Sequence, residues 1–183
     1  MGPDLVERAR AGDREAFAGL AQLHADRMFS IARRILRDFE LAEDAVQEAL
    51  VAAWRELPRL RDAERFEAWL TRIVVHRCYA MSKTTRARSA VRRLDPGQDV
   101  PGPDALSALH DRDELERGFR RLPIGHRAVL VLHHYVGLEP TDIAEALGIP
   151  PGTVRSRLHY AHRALRAALE ADARLPIAGG PTA

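Results

Sequence analysis

Between Pro140 and Arg166 the chain reads Pro-Thr-Asp-Ile-Ala-Glu-Ala-Leu-Gly-Ile-Pro-Pro-Gly-Thr-Val-Arg-Ser-Arg-Leu-His-Tyr-Ala-His-Arg-Ala-Leu-Arg. The spacing predicts a short helix, a glycine-centred turn and a second, cationic helix. Ile143, Ala144 and Leu147 form the buried side of the first helix, and Gly148 supplies a backbone able to turn left-handed. Ile149 plugs the corner, and Pro150 and Pro151 set the start of the second helix. There, Val154, Leu158, Ala161 and Leu165 fall on one face at helical spacing, which places Ser156, His159, Tyr160 and Arg163 opposite them, between Arg155 and Arg166. This is the pattern of a helix-turn-helix whose second helix enters a DNA major groove. The plain alternative is a helical hairpin with a solvated basic face.

Composition bounds the rest. At 183 residues, 46% apolar and 30% charged, the chain has material for one or two small helical cores. No run of eighteen apolar residues exists and the first residues carry no apolar stretch, so a cytoplasmic protein with no membrane insertion is expected. The lone cysteine, Cys78, lies in an amphipathic pattern and is expected to be a buried small hydrophobe rather than a reactive thiol. A net charge of only +2 means that nucleic-acid binding must come from local clusters of cations. One such cluster is Arg72, Arg77, Lys83, Arg86, Arg88, Arg92 and Arg93, with no acidic residue among them.

An all-α fold of two small domains is predicted. In the first, residues 1–93, Asp13 caps a helix through Phe17, Leu20, Leu23, Met28, Ile31, Ile35 and Leu36, followed by a turn at residues 38–40. A helix over 41–57 buries Leu41, Ala45, Val46, Ala49, Leu50, Ala53 and Leu57 and stops before Pro58. Its other face shows Asp44, Gln47, Glu48, Val51 and Arg55. After a polar loop over 58–65, a third helix spans about residues 64–88, with Phe66, Trp69, Leu70, Ile73 and Val74 inward and Cys78 and Met81 as further inward candidates. Residues 94–103, dense in Pro, Gly and Asp, read as a flexible linker. The second domain, 104–172, opens with a helix through Leu106, Leu109, Leu115, Phe119 and Leu122, continues with one over 125–135, and ends in the helix-turn-helix. The tail, 173–183, is patternless and expected to be disordered.

Three stretches, taken in order, resemble the extracytoplasmic-function group of bacterial RNA polymerase sigma factors: Leu41-Ala-Glu-Asp-Ala-Val-Gln-Glu-Ala-Leu-Val-Ala-Ala-Trp54, Phe66-Glu-Ala-Trp-Leu-Thr-Arg-Ile-Val-Val-His-Arg77, and Leu122-Pro-Ile-Gly-His-Arg-Ala-Val-Leu through Gly152-Thr-Val-Arg-Ser-Arg-Leu158. The resemblance implies a sigma region 2 domain, which binds core polymerase and recognises and melts the -10 element, and a region 4 domain, which reads the -35 element. By that likeness Asp44, Gln47 and Glu48 dock on the clamp helices of the polymerase's largest subunit. Two carboxylates and an amide on a rigid helix suit a basic helical partner. The loop and the basic helix after it match the -10 reader, in which the loop captures a flipped base and the helix holds the separated strand.

For that reader the candidates are Arg61, Arg65, Arg72, His76, Arg77 and Lys83. Phe66 or Trp69 would supply a flat face for stacking, although helical spacing favours the core for both. The -35 candidates are Thr153, Arg155, Ser156, His159, Tyr160 and Arg163, while Arg157, nearer the buried stripe, is expected to meet a phosphate or a carboxylate. The chain departs from the family at His76, where asparagine is usual, at Ala80, where aspartate is frequent, and at Tyr160 and His162, where arginine is frequent. These changes bear on base preference and not on the fold. Core RNA polymerase and promoter DNA are the implied partners, with an anti-sigma factor as a further one.

No catalytic residue, cofactor or metal is predicted. His133 with His134, and His159 with His162, are the histidine pairs, and neither has a cysteine or carboxylate cluster beside it. A stand-alone helix-turn-helix regulator, binding operators as a dimer without polymerase, is the alternative function, and a module that only sequesters an anti-sigma protein is another.

Overall fold

A computed structural model describes residues 2–92 and 118–172. The linker, residues 104–117 of the helix expected to run through Leu122, and the tail lie outside the described residues. Helices make up most of the described residues, with no strand among them: α1 is Gly2–Arg10, α2 Arg14–Leu36, α3 Phe39–Glu56, α4 Phe66–Arg92, α5 Ile124–Leu130, α6 Pro140–Leu147 and α7 Pro151–Asp172.

Each start and stop has a local cause. The Asp13 carboxylate accepts the N–H groups of Glu15 and Ala16, both at 3.0 Å, which begins α2. Asp38 does the same for Leu41 at 2.9 Å, so α3 begins at Phe39 and absorbs residues that the sequence alone suggested as a turn. Between them Arg37 is left-handed at φ 63°, the one non-glycine of positive φ among the described residues. Pro58 ends α3, and the 57–65 loop folds into 3-10 turns at Leu57–Arg59 and Ala63–Arg65.

The first domain packs α2, α3 and α4 around one core, in which Leu20, Ile31, Ile35, Leu57, Val74, Val75 and Cys78 are fully buried. The inward face of α3 is mostly alanine, with Ala42, Ala45, Ala49, Ala52 and Ala53 all buried, so neighbouring backbones approach it closely. α1, which the spacing from Asp13 onward did not include, buries Val6 and Ala9 and packs on α2 and on both 3-10 turns of the loop. Leu23, expected inside, is 68% exposed. The buried seam steps by four from Ala16 and Leu20, which gives the inward place to His24, whose ring lies 5.5 Å from that of Phe66.

In the second domain α5, α6 and α7 bury Val129, Leu132, Ile143, Val154 and Ala161. The helix expected over 125–135 is interrupted: residues 131–135 form a π turn, closed by Val136 N–H to Val131 O at 3.0 Å. The extra residue turns His134 and Tyr135 to the surface. The helix-turn-helix corner is as predicted, with Gly148 at φ 63° and Ile149 N–H donating to Ala144 O at 3.1 Å. Space around Gly148 is open, so its only demand is the backbone conformation. Gly148→Ala therefore costs about 1 kcal/mol and Gly148→Asn clearly less, because asparagine tolerates the left-handed region; urea unfolding of the two variants checks the order.

Candidate polymerase and nucleic-acid interfaces

Asp44, Gln47 and Glu48 are all exposed on α3, carried on its alanine back. Gln47 and Glu48, together with Val51, Arg55, Glu56 and Arg77, line a shallow depression of about 490 Å³. Val51 is 51% exposed at its floor, an apolar anchor among charges. Arg77, a -10 candidate by sequence, also borders this face, with its Nη1 3.9 Å from Glu48 Oε2. No spacing along either helix signals that meeting, since it joins α3 to α4 across the bundle.

Arg61, Arg65 and Arg72 are exposed and come together along a groove of about 350 Å³ that also takes in Leu60, Asp62, Ala68 and Trp69. A second hollow, about 480 Å³, lies beside it between Glu56, Trp69, Arg72, Ile73, His76 and Arg77. Trp69 and Arg72 are shared by both hollows, so an aromatic face sits between cations, the composition that single-stranded nucleic acid requires. The two aromatic candidates separate here. Phe66 is core at 4% exposure, whereas Trp69 is half-buried and presents to the hollows. Lys83 is exposed further along α4 and lines neither hollow.

On α7, Arg155, Ser156, His159, Tyr160 and Arg163 are exposed along one face, and Thr153 is half-buried at its start. Ser156 Oγ donates to Thr153 O at 3.0 Å, which fixes the hydroxyl while leaving its lone pairs outward. His159 and Tyr160 meet edge to face at 5.8 Å. Arg157 meets no carboxylate among the described residues. It folds back over Gly125, so close that a Cβ there would lie 3.3 Å from the guanidinium. Burial pushes the Tyr79 phenol up, and Arg157 pulls the other way.

His162 pairs across the domain with His134, Nε2 to Nε2 at 2.9 Å, and not with His159 along its own helix. One ring must donate and the other accept, so both cannot carry a second proton while the bond stands. Burial, His133 and His162 hold His134 below the usual imidazole range. Among the described residues no three His, Cys, Asp or Glu side chains group as metal ligands would.

Comparison with known proteins assigns the arrangement. Residues 20–89 match the Sigma-70 region 2 family and residues 112–167 match Sigma-70, region 4. The chain is 35% identical over 170 residues, covering 90% of this chain and 95% of the relative, to the ECF RNA polymerase sigma factor SigL of Mycobacterium tuberculosis. The chain belongs to the extracytoplasmic-function sigma factors. It is also 33% identical, over 91% of its length and 92% of the relative's, to the RNA polymerase sigma-H factor of Pseudomonas aeruginosa. Of solved structures, CnrH in complex with the cytosolic domain of CnrY is 27% identical with a TM-score of 0.63, covering 93% of this chain and 98% of that one. RpoE of Bartonella quintana, solved with the anti-sigma factor NepR, shares the fold at a TM-score of 0.69 and 22% identity.

As an extracytoplasmic-function sigma factor the protein binds core RNA polymerase and promoter DNA and directs promoter-specific transcription initiation. The operator-binding alternative gives way to that assignment. Sigma factors are initiation factors and not enzymes. No helix among the described residues is long and apolar enough to cross a membrane.

Cys78 lies on the inward face of α4, with no exposed surface, and burial pushes its thiol up to about 12. Iodoacetamide at pH 8 should therefore leave the native protein unmodified and label it fully in urea, as read by intact mass. Labelling at equal rates in both states would show that the core of α4 is open.

Proposed function

We propose that residues 1–93 form the region 2 domain, which docks on core polymerase through Asp44, Gln47 and Glu48 and reads the -10 element. Arg61, Arg65 and Arg72 hold the separated strand by its phosphates, Trp69 stacks on a base, and His76 borders the second hollow where a base edge is read. Arg77 serves the junction between this reader and the docking face, and Lys83 extends the cationic track along α4. Residues 104–172 form the region 4 domain, whose Thr153, Arg155, Ser156, His159, Tyr160 and Arg163 contact the -35 duplex. The protein has no catalytic activity of its own, acts in the cytoplasm, and is held in check by an anti-sigma factor, as the CnrH and RpoE complexes suggest by analogy.

The observation that carries this reading is on α7. Its exposed residues stand side by side above a stripe of Val154, Leu158 and Ala161 anchored in the core, so the helix is rigid while its polar face is free. The direct test is run-off transcription with purified core enzyme, genomic promoter DNA and this protein as the sole added factor. Specific transcripts are expected, and their absence with tight duplex binding by the protein alone would overturn it.

Two sets of variants separate the roles. Changing Asp44, Gln47 and Glu48 together to alanine should keep the circular dichroism spectrum and weaken core binding by roughly ten- to a hundredfold in a titration. Arg155→Ala with Ser156→Ala should relax choice at particular -35 base pairs, each good arginine contact discriminating by about 1 to 3 kcal/mol. Arg166→Ala should instead weaken binding to all sequences alike and lower the salt slope by about one counterion.

A further inference from the structure

A cavity of about 480 Å³, separate from the hollows along α4, opens where the end of α2 meets the second domain. Arg34 and Arg37 line it from α2. From the second domain it takes Phe119, Tyr135, the bonded pair His134 and His162, and apolar side chains of α5 and α7. No acidic residue is among the described residues that line it. Each lining arginine is set beside an aromatic ring. Arg34 lies 3.9 Å from the centre of the Tyr135 ring, with its Nη1 donating to Ser30 O at 3.3 Å, and Arg37 lies 6.0 Å from the centre of the Phe119 ring. The positive charge reaches beyond these two. Burial, and then the charges of Arg120, Arg33, Arg127 and Arg34, bring the Arg37 guanidinium down to about 10.

We propose that this cavity binds a nucleoside polyphosphate, with the phosphates on Arg34 and Arg37 and the base against Phe119 and Tyr135. Charge selects the first half of that ligand. Arginines gathered this way repel one another, and an anion of several charges relieves the repulsion where a single carboxylate offsets only part of it. The planar guanidinium fork also matches phosphate oxygens in pairs. The rings and the apolar lining select the second half, a flat body that a bare phosphate lacks. The volume lies within the roughly 300 to 1,000 Å³ that small-molecule sites span. None of the lining residues belongs to the docking face, to the strand groove or to the exposed face of α7, so the cavity is left over once those three are assigned.

Because the cations come from α2 and the rings from the second domain, the site is complete only while the two stand together. A ligand that binds this arrangement stabilises it by mass action. Occupancy thus ties the placement of the domains to the supply of nucleotide. A DNA strand offers phosphates and bases as well, so the experiment has to tell a free nucleotide from a strand that passes through the cavity.

The test is calorimetry on the full chain with ATP, GTP, adenosine and inorganic tripolyphosphate in magnesium-free buffer. One of the two nucleotides should bind at a single site, roughly fivefold or more tightly than tripolyphosphate, the gain that one stacked base supplies. Arg34→Gln with Arg37→Gln should weaken it about tenfold or more relative to Arg14→Gln with Arg59→Gln, which removes the same charge from exposed positions elsewhere. Arg37 holds the left-handed end of α2, so Arg34→Gln alone is measured too, with about a threefold loss expected even if the double variant is unfolded by circular dichroism. Tyr135→Ala, which leaves every charge in place, should weaken the nucleotide more than tripolyphosphate. The imidazole resonances of His134 and His162, assigned through His134→Gln and His162→Gln, should move on adding nucleotide, which locates the ligand in this cavity. No saturable binding of either nucleotide overturns the proposal. Tripolyphosphate binding as tightly as nucleotide overturns the place given to the base, and equal losses in Arg34→Gln and the charge-matched control overturn the cavity. If a labelled oligothymidylate of about twelve nucleotides loses affinity in Arg34→Gln by the same factor as the nucleotide, the cavity lies on a strand's path and the free-nucleotide site falls.

Discussion

The close approach of α3 to its neighbours is the constraint from which the rest of the first domain follows. Alanines at 42, 45, 49, 52 and 53 leave little side chain between backbones, so α2 and α4 are set by contact with the α3 backbone itself. A helix seated this tightly cannot roll, and its outer residues keep fixed directions. That is how Asp44, Gln47 and Glu48 can present a pattern to a partner although none of them is itself held by a buried bond. With α3 seated and Pro58 ending it, the 57–65 loop begins at a fixed place.

Much of this was legible in the sequence because it is periodic. The stripes of α3 and α7 repeat every three or four residues, and the Gly148 corner is local chemistry, so the faces opposite them could be named by residue. What escaped was of two kinds. Local competition decided some positions: a seam stepping by four gave the core to His24 and left Leu23 outside, and a capping bond at Asp38 turned an expected loop into helix. Contacts across the fold decided the others. Arg77 against Glu48, His134 against His162 and Arg65 against Glu145 join residues on different helices, and no spacing along one helix encodes which cation finds which carboxylate. The division of Phe66 from Trp69 belongs to the same kind, since both lie on the apolar side of α4 and only the packing of α2 covers one more fully than the other.

The energetics of the two domains differ in kind. Within each, stability rests on apolar burial, as with Ile31, Ile35 and Val74 in the first and Leu132, Ile143 and Val154 in the second. Between them the polar contacts among the described residues include arginines on aromatic rings and an exposed ion pair. Arg37 shows the tension at this boundary. Burial first, and then Arg120, Arg33, Arg127 and Arg34 around it, bring its guanidinium down to about 10.

The π turn at residues 131–135 bears on which changes of length this chain can absorb. It is one residue longer than the α-helical turn it replaces, and its surplus is absorbed without disturbing Val129 or Leu132 in the core. Loss of that residue in a descendant would restore regular winding and swing whatever side chain stands at Tyr135 by about 100° around the helix axis. A single-codon deletion could thus rewire the surface that meets Arg34 in one step, with the hydrophobic interior conserved.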